Sequence, residues 1–173
     1  KDRSKVIKPF SREHWMKLSF SNALHVRLGR MELPFGLKTV DHTRITRSSV
    51  GLQQKDQFYG IMVDYISNHF ALHLMPYYGN FLKQKLATQK EEFGAVLSLK
   101  YMLPTRLVLG LSNLFKQNKT EKYESNHSLY FQARLPASSY LLGEGVYTKV
   151  YDNETDFKNK QPFSDFIRLG KYF

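Results

Sequence analysis

Apolar and polar residues alternate with period two along nearly the whole chain, and helical periodicity is nearly absent. The clearest stretch is EEFGAVLSLKYMLPTRLVLGLSNLFKQ, residues 91–117. Phe93, Ala95, Leu97, Leu99 and Tyr101 alternate with Gly94, Val96, Ser98, Lys100 and Met102. After Pro104-Thr105 the alternation resumes, with Leu107, Leu109, Leu111 and Phe115 set against Arg106, Val108, Gly110 and Ser112. The pattern predicts a hairpin with one apolar face. Carried along the chain, it places strands near 16–20, 23–31, 58–67, 69–78, 92–103, 105–116, 126–135, 139–151 and 165–173. The expected class is all-β, an antiparallel up-and-down sheet of about eight to ten strands in residues 1–173, after an N-terminal extension or loop at 1–14.

The connections sharpen this expectation. Ser67-Asn68, Pro104-Thr105 and Pro136-Ala137-Ser138 are tight, whereas GNFLKQKLATQK, QNKTEKYESN and DNETDFKNKQPF are long and polar. Short and long links alternate, so the short turns gather at one end of the sheet and the long loops at the other. Soluble sandwiches mix their connections through Greek-key crossings. Membrane barrels of the bacterial outer membrane have short periplasmic turns and long extracellular loops, and strands of about 9–11 residues. The pattern therefore points to a transmembrane β-barrel, or to a portion of a larger one.

A membrane barrel turns its apolar face outward and its polar face to an aqueous lumen, the inverse of a soluble barrel. On that reading Leu97, Leu99, Leu107, Leu109, Leu111 and Phe131 face lipid. The lumen set is His25, Arg27, Asp64, His73, Lys100, Arg106, Arg134, Glu144 and Lys149, with Glu144 expected to pair with Lys149 or Arg134. Tyr59, Tyr77, Tyr78, Phe93, Tyr101, Phe115, Tyr123, Tyr140, Tyr147 and Tyr151 lie mostly near strand ends, where interfacial girdles form. Aromatic residues are also common in strands of any kind, so alternation and aromatic position together carry the reading.

Composition narrows the partners. A formal charge of +11 suggests anionic ones: nucleic acid, lipid headgroups, lipopolysaccharide or acidic solutes. The chain has no Cys, which excludes disulfides and thiolate metal sites. No apolar run approaches the length of a membrane helix, which leaves a barrel untouched, because alternating strands keep the mean hydropathy low. The opening KDRSKVIKPF has neither an initiator Met nor an apolar signal core, so a processed product or a piece of a longer chain is expected.

Residues 28–47, LGRMELPFGLKTVDHTRITR, resemble a segment of porin-like outer-membrane barrel proteins of Gram-negative bacteria. In those proteins a strand ending in GR runs into a PFGL turn, then DHT and a basic residue. The matching residues are Gly29, Arg30, Pro34, Phe35, Gly36, Leu37, Asp41, His42, Thr43 and Arg47. The resemblance covers about twenty residues. It implies a bacterial outer-membrane barrel that is not an enzyme, in contact with outer-membrane lipid and lipopolysaccharide and inserted by the barrel-assembly machinery. Other subunits of an envelope complex are further partners. It also implies strands before the GR strand. By the up-and-down count the strand DFIRLGKYF finishes on the short-turn side, where an outer-membrane barrel ends in an aromatic read during assembly, a role Phe173 would take. Read physically, Pro34 and Gly36 force a turn. Asp41, His42, Thr43, Arg44 and Arg47 then gather in one long connection, either an ordered loop held by its own hydrogen bonds or a constriction folded into the lumen.

No catalytic constellation appears. Asp41-His42 is short of the three or four ligands of a metal site, LLGEGVY lacks the strand–loop–helix context of a phosphate cradle, and no serine sits in a nucleophile elbow. No cofactor is expected. The leading function is a passive pore with a lumen biased toward anions, or the barrel component of an envelope assembly. The alternatives are a soluble basic β-barrel that binds nucleic acid or an acidic ligand, and a lipocalin-like barrel. Basic residues scattered over loops and many strands, not gathered in one stripe, argue against nucleic acid.

Overall fold

The computed structural model describes residues 13–37, 52, 57–79, 92–104, 106–117, 123–137 and 139–151, and the backbone of 163–171. It contains nine strands: β1 His14–Ser19, β2 Leu24–Glu32, β3 Gln57–Ile66, β4 Phe70–Tyr78, β5 Phe93–Leu103, β6 Leu107–Gln117, β7 Tyr123–Arg134, β8 Ser139–Tyr151 and β9 Phe163–Lys171. Each pairs antiparallel with its chain neighbours, in the order β1 to β9, in one sheet. The expected strands and the all-β up-and-down order are therefore present. The sheet is not closed, since β1 and β9 stand at its two edges. β1 begins at His14, inside the stretch expected to precede the first strand.

The short turns explain themselves locally. Ser21 Oγ accepts the backbone N–H groups of Ala23 and Leu24 at 3.2 and 3.0 Å. Ser67 Oγ does the same for Phe70 at 3.2 Å. Arg106 and Ala137 adopt positive φ values of 64° and 55° to close the β5–β6 and β7–β8 turns. The β3–β4 ladder is interrupted where Pro76, without an N–H, lies between the paired positions Leu74 and Tyr77. All four short turns fall at one end of the sheet, and the long connections at the other.

The curvature follows from one contact. The N–H of Leu37 donates to Oε1 of Glu144 on β8 at 3.0 Å, although Leu37 is only five residues beyond the end of β2. Glu144 lies in the cross-strand row of Tyr130, Gly110, Lys100 and Ala71. In a flat sheet, six strand spacings and about nine residues of offset would separate it from Glu32 by roughly 40 Å. Five extended residues plus the glutamate side chain reach about 25 Å. The sheet must therefore curl so that the segment after β2 crosses its concave side as a chord. One buried cluster confirms the wrap, joining Met31, Leu33, Phe35, Leu52, Phe58, Met62, Met75, Val96, Leu114 and Val146.

Candidate functional site

The two faces of the sheet differ in chemistry. The convex face carries unbroken cross-strand rows of large apolar residues, such as Leu72–Leu99–Leu111–Leu129. Leu74, Leu97, Leu99, Leu109 and Leu111 are exposed there, and Leu129 is 67% exposed. Leu107 and Phe131 share this face and are half-buried, with the Phe131 ring covering the space a Cβ on Gly143 would take. The exposed residues Met16 and Leu18 on β1, with Phe20 in the turn that follows, extend the apolar surface to the edge. Exposing so much contiguous leucine to water is unfavourable, and an apolar surface of this extent marks a face that meets lipid or another protein.

This apolar face is not uniform along the strands. On β5 it reaches Phe93, near the long-loop end. On β6 to β8 polar outward residues interrupt it before the aromatic residues Phe115, Tyr123 and Tyr151. Asn113, Ser125 and His127 form one cluster, with His127 Nδ1 at 2.7 Å from Asn113 Oδ1, and His127 stacks on Tyr147. Tyr147 lies in the row of His127, Asn113 and Leu97, four residues below the row of Phe93. Large aromatic side chains stand exposed on the same face: Tyr78, Phe93, Tyr123 and Tyr151 in one cross-strand row at the long-loop end, with Phe115 just below it, and Tyr65, Phe70 and Tyr101 toward the short turns.

The concave face is filled and largely polar at two levels. Asp64, His73, Ser98, Ser112 and Ser128 occupy one cross-strand row. Asp64 is buried; it accepts Arg27 Nε at 2.7 Å and Nη2 at 2.9 Å, and lies 2.6 Å from His73 Nδ1. The Arg27 guanidinium also stacks 5.5 Å from the centre of the Trp15 ring. The three serines leave room for the segment from Leu33 to Leu37. Ser112 Oγ donates to Ser98 Oγ at 3.1 Å and accepts the Gly36 N–H at 3.2 Å. Ser128 Oγ donates to the same Glu144 oxygen that holds Leu37, at 2.8 Å. Leu37 itself packs with Tyr130 and Leu142. Gly36 has φ +66°, and a Cβ there would strike the Glu144 carboxylate. Glycine is required on both counts.

Several expectations from sequence are corrected by this geometry. Lys149 shares the face of Tyr147 and Tyr151, with its Nζ 4.7 Å over the Tyr151 ring, and cannot line the interior beside Glu144. Strand parity, with no bulge between them, decides this. Arg106 stands in the β5–β6 turn and Arg134 ends β7, both exposed at the short-turn mouth and not within the interior. Tyr77 points inward, donating its hydroxyl to Glu92 at 2.9 Å, and Tyr140 packs with the Leu37 cluster, so neither belongs to the outer aromatic set. His25, Arg27, Asp64, His73, Lys100 and Glu144 lie on the concave-face rows. His25 Nδ1 is 3.0 Å from Ser19 Oγ.

The residues that occupy the interior are Leu33–Leu37, upstream of the constriction expected at Asp41, His42, Thr43, Arg44 and Arg47, which fall outside the described residues, as does Phe173. The serine row and Glu144 as the anchor of Leu37 were not foreseen. Their signal was a small polar residue at the same register on three successive strands. Among the described residues no group of three or more His, Asp or Glu is placed to hold a metal ion. No protein-family model, curated protein or solved structure matches the chain.

Proposed function

We propose that this chain is an outer-membrane β-barrel, or a portion of one, whose convex face meets lipid. Its interior is narrowed by the inward-folded Leu33–Leu37 segment. The observation that carries the reading is the exposed apolar band, flanked by aromatic residues, on the face opposite Asp64, Glu144 and the buried serines. A water-exposed sheet would place these two sets the other way round. The long, polar connections then face the cell exterior, beside lipopolysaccharide, and the barrel-assembly machinery inserts the strands.

The occupied interior favours a barrel component of an envelope assembly, or a narrow conductor, over a wide pore. An anion preference gains little from the described interior charges. Arg27 pairs with Asp64, Lys116 with Glu124 at 2.9 Å, and Lys100 shares a cross-strand row with Glu144. The test is extraction of the protein from cell envelopes. On this reading detergent releases it and strong salt does not. Release by salt alone would return the chain to the soluble basic-barrel reading.

A further inference from the structure

Eight successive antiparallel pairings fix the relative direction of every strand. Odd-numbered strands run one way and even-numbered strands the other, so the edge strands β1 and β9 are parallel to each other. If the sheet closed on itself, its seam would be a lone parallel ladder in an otherwise antiparallel barrel, a geometry foreign to bacterial outer-membrane barrels, which have even strand numbers. A second copy does not remove the difficulty. Two copies inserted in the same membrane orientation also present β9 of one to β1 of the other in parallel.

We infer that the free edge of β1 is an assembly surface, and that it receives an antiparallel strand from an odd-numbered set of further strands bridging β1 to β9. This rests on the barrel reading proposed above. The chemistry of the missing neighbour is set by β1 itself. Among the described residues no strand pairs with its outer side, and in hydrocarbon unpaired N–H and C=O groups are strongly unfavourable, so the edge is covered there. The outward residues Met16 and Leu18 continue the apolar band, whereas Trp15 lies against the Arg27 guanidinium on the other face. The partner strand is therefore one of alternating apolar and polar residues, in register with that band and opposite in direction to β1. Its backbone hydrogen bonds supply the affinity and the alternation supplies the specificity.

The chain has no cysteine, so disulfide scanning has a clean background. Cysteine pairs are introduced at Trp15, Lys17 or Ser19 on β1 against Ser164, Phe166 or Arg168 on β9, in the full-length gene product in native membranes. A disulfide needs Cα atoms within about 7 Å, so it reports direct pairing. Amide exchange of residues 15–19 is measured on the same material. The expected result is no β1–β9 disulfide in any combination, with the β1 amides exchanging about a hundredfold more slowly than those of the Ser21–Asn22 turn. Disulfides at successive parallel positions would overturn the inference in favour of a self-closing nine-stranded barrel. Fast exchange along β1 would overturn it differently, by showing an uncovered edge. Failure of the membrane reading itself is seen separately, as extraction by salt.

Discussion

Leu111→Arg separates a lipid-facing convex face from a water-facing one by magnitude. Leu111 lies on β6 between Leu99 and Leu129, two outward positions from Phe115 at the aromatic boundary and from Leu107 near the short turn. It is close to the middle of the band on its strand. Arginine at the bilayer midplane of a membrane barrel costs about 2–4 kcal/mol. In water the same site is an exposed leucine, and replacing it changes stability by no more than about 0.5–1 kcal/mol, because the arginine stem keeps much of the contact. The assay is reversible urea unfolding of wild type and variant in lipid vesicles, with Lys149→Leu as a control. Lys149 is an outward residue on β8 that shares its row with Ser125 and stands over the Tyr151 ring, so its change should stay within about 1 kcal/mol. A loss below about 1 kcal/mol for Leu111→Arg, or an equal loss for the control, would refute the assignment of this face to lipid.

Other consequences follow from the interior and the turns. Arg27→Met should cost about 2 kcal/mol, because it strips buried Asp64 of a bidentate partner; combined with Asp64→Asn it should cost less than the sum, and a double-mutant cycle with no coupling would contradict the pairing. Glu144→Ala should destabilise by about 1–3 kcal/mol by orphaning the Leu37 N–H, while Glu144→Gln retains an acceptor and stays milder. In planar bilayers Glu144→Ala should also raise conductance by loosening the Leu33–Leu37 segment, and unchanged conductance would argue that this segment does not limit passage. Arg106→Gly should stabilise by about 0.5–1 kcal/mol, since φ 64° burdens an L side chain; thermal unfolding checks the sign. Intact cells should be biotinylated at Lys119 and Lys158 in the long connections, and labelling only after envelope rupture would invert the topology.

The strands were legible because period-two alternation depends only on local sequence, and the tight turns carry their own signals in Ser21, Ser67, Pro104 and Pro136. The paired faces were legible for the same reason, once one residue per strand was placed. Lys149 was misplaced because charge alone suggested an interior partner, whereas parity with Tyr147 and Tyr151 puts it outside. Tyr77 and Tyr140 were misplaced by position near strand ends, which says nothing about face. The Leu33–Leu37 chord was hidden because PFGL reads locally as a turn. Its destination is set by sites remote in sequence, the space left by Ser98, Ser112 and Ser128 and the carboxylate of Glu144. Only the cross-strand register brings those together.

Lipid exposure of alternate residues on one strand tests the central claim most directly. Single cysteines at Val96, Leu97, Ser98 and Leu99 on β5 are labelled with an environment-sensitive fluorophore, and the protein is reconstituted in vesicles of brominated lipid. The account predicts strong quenching at Leu97 and Leu99, which are exposed on the convex face, and weak quenching at Val96 and Ser98, which are buried on the concave one. Quenching that is uniform along the strand, or strongest at Val96 and Ser98, would contradict it.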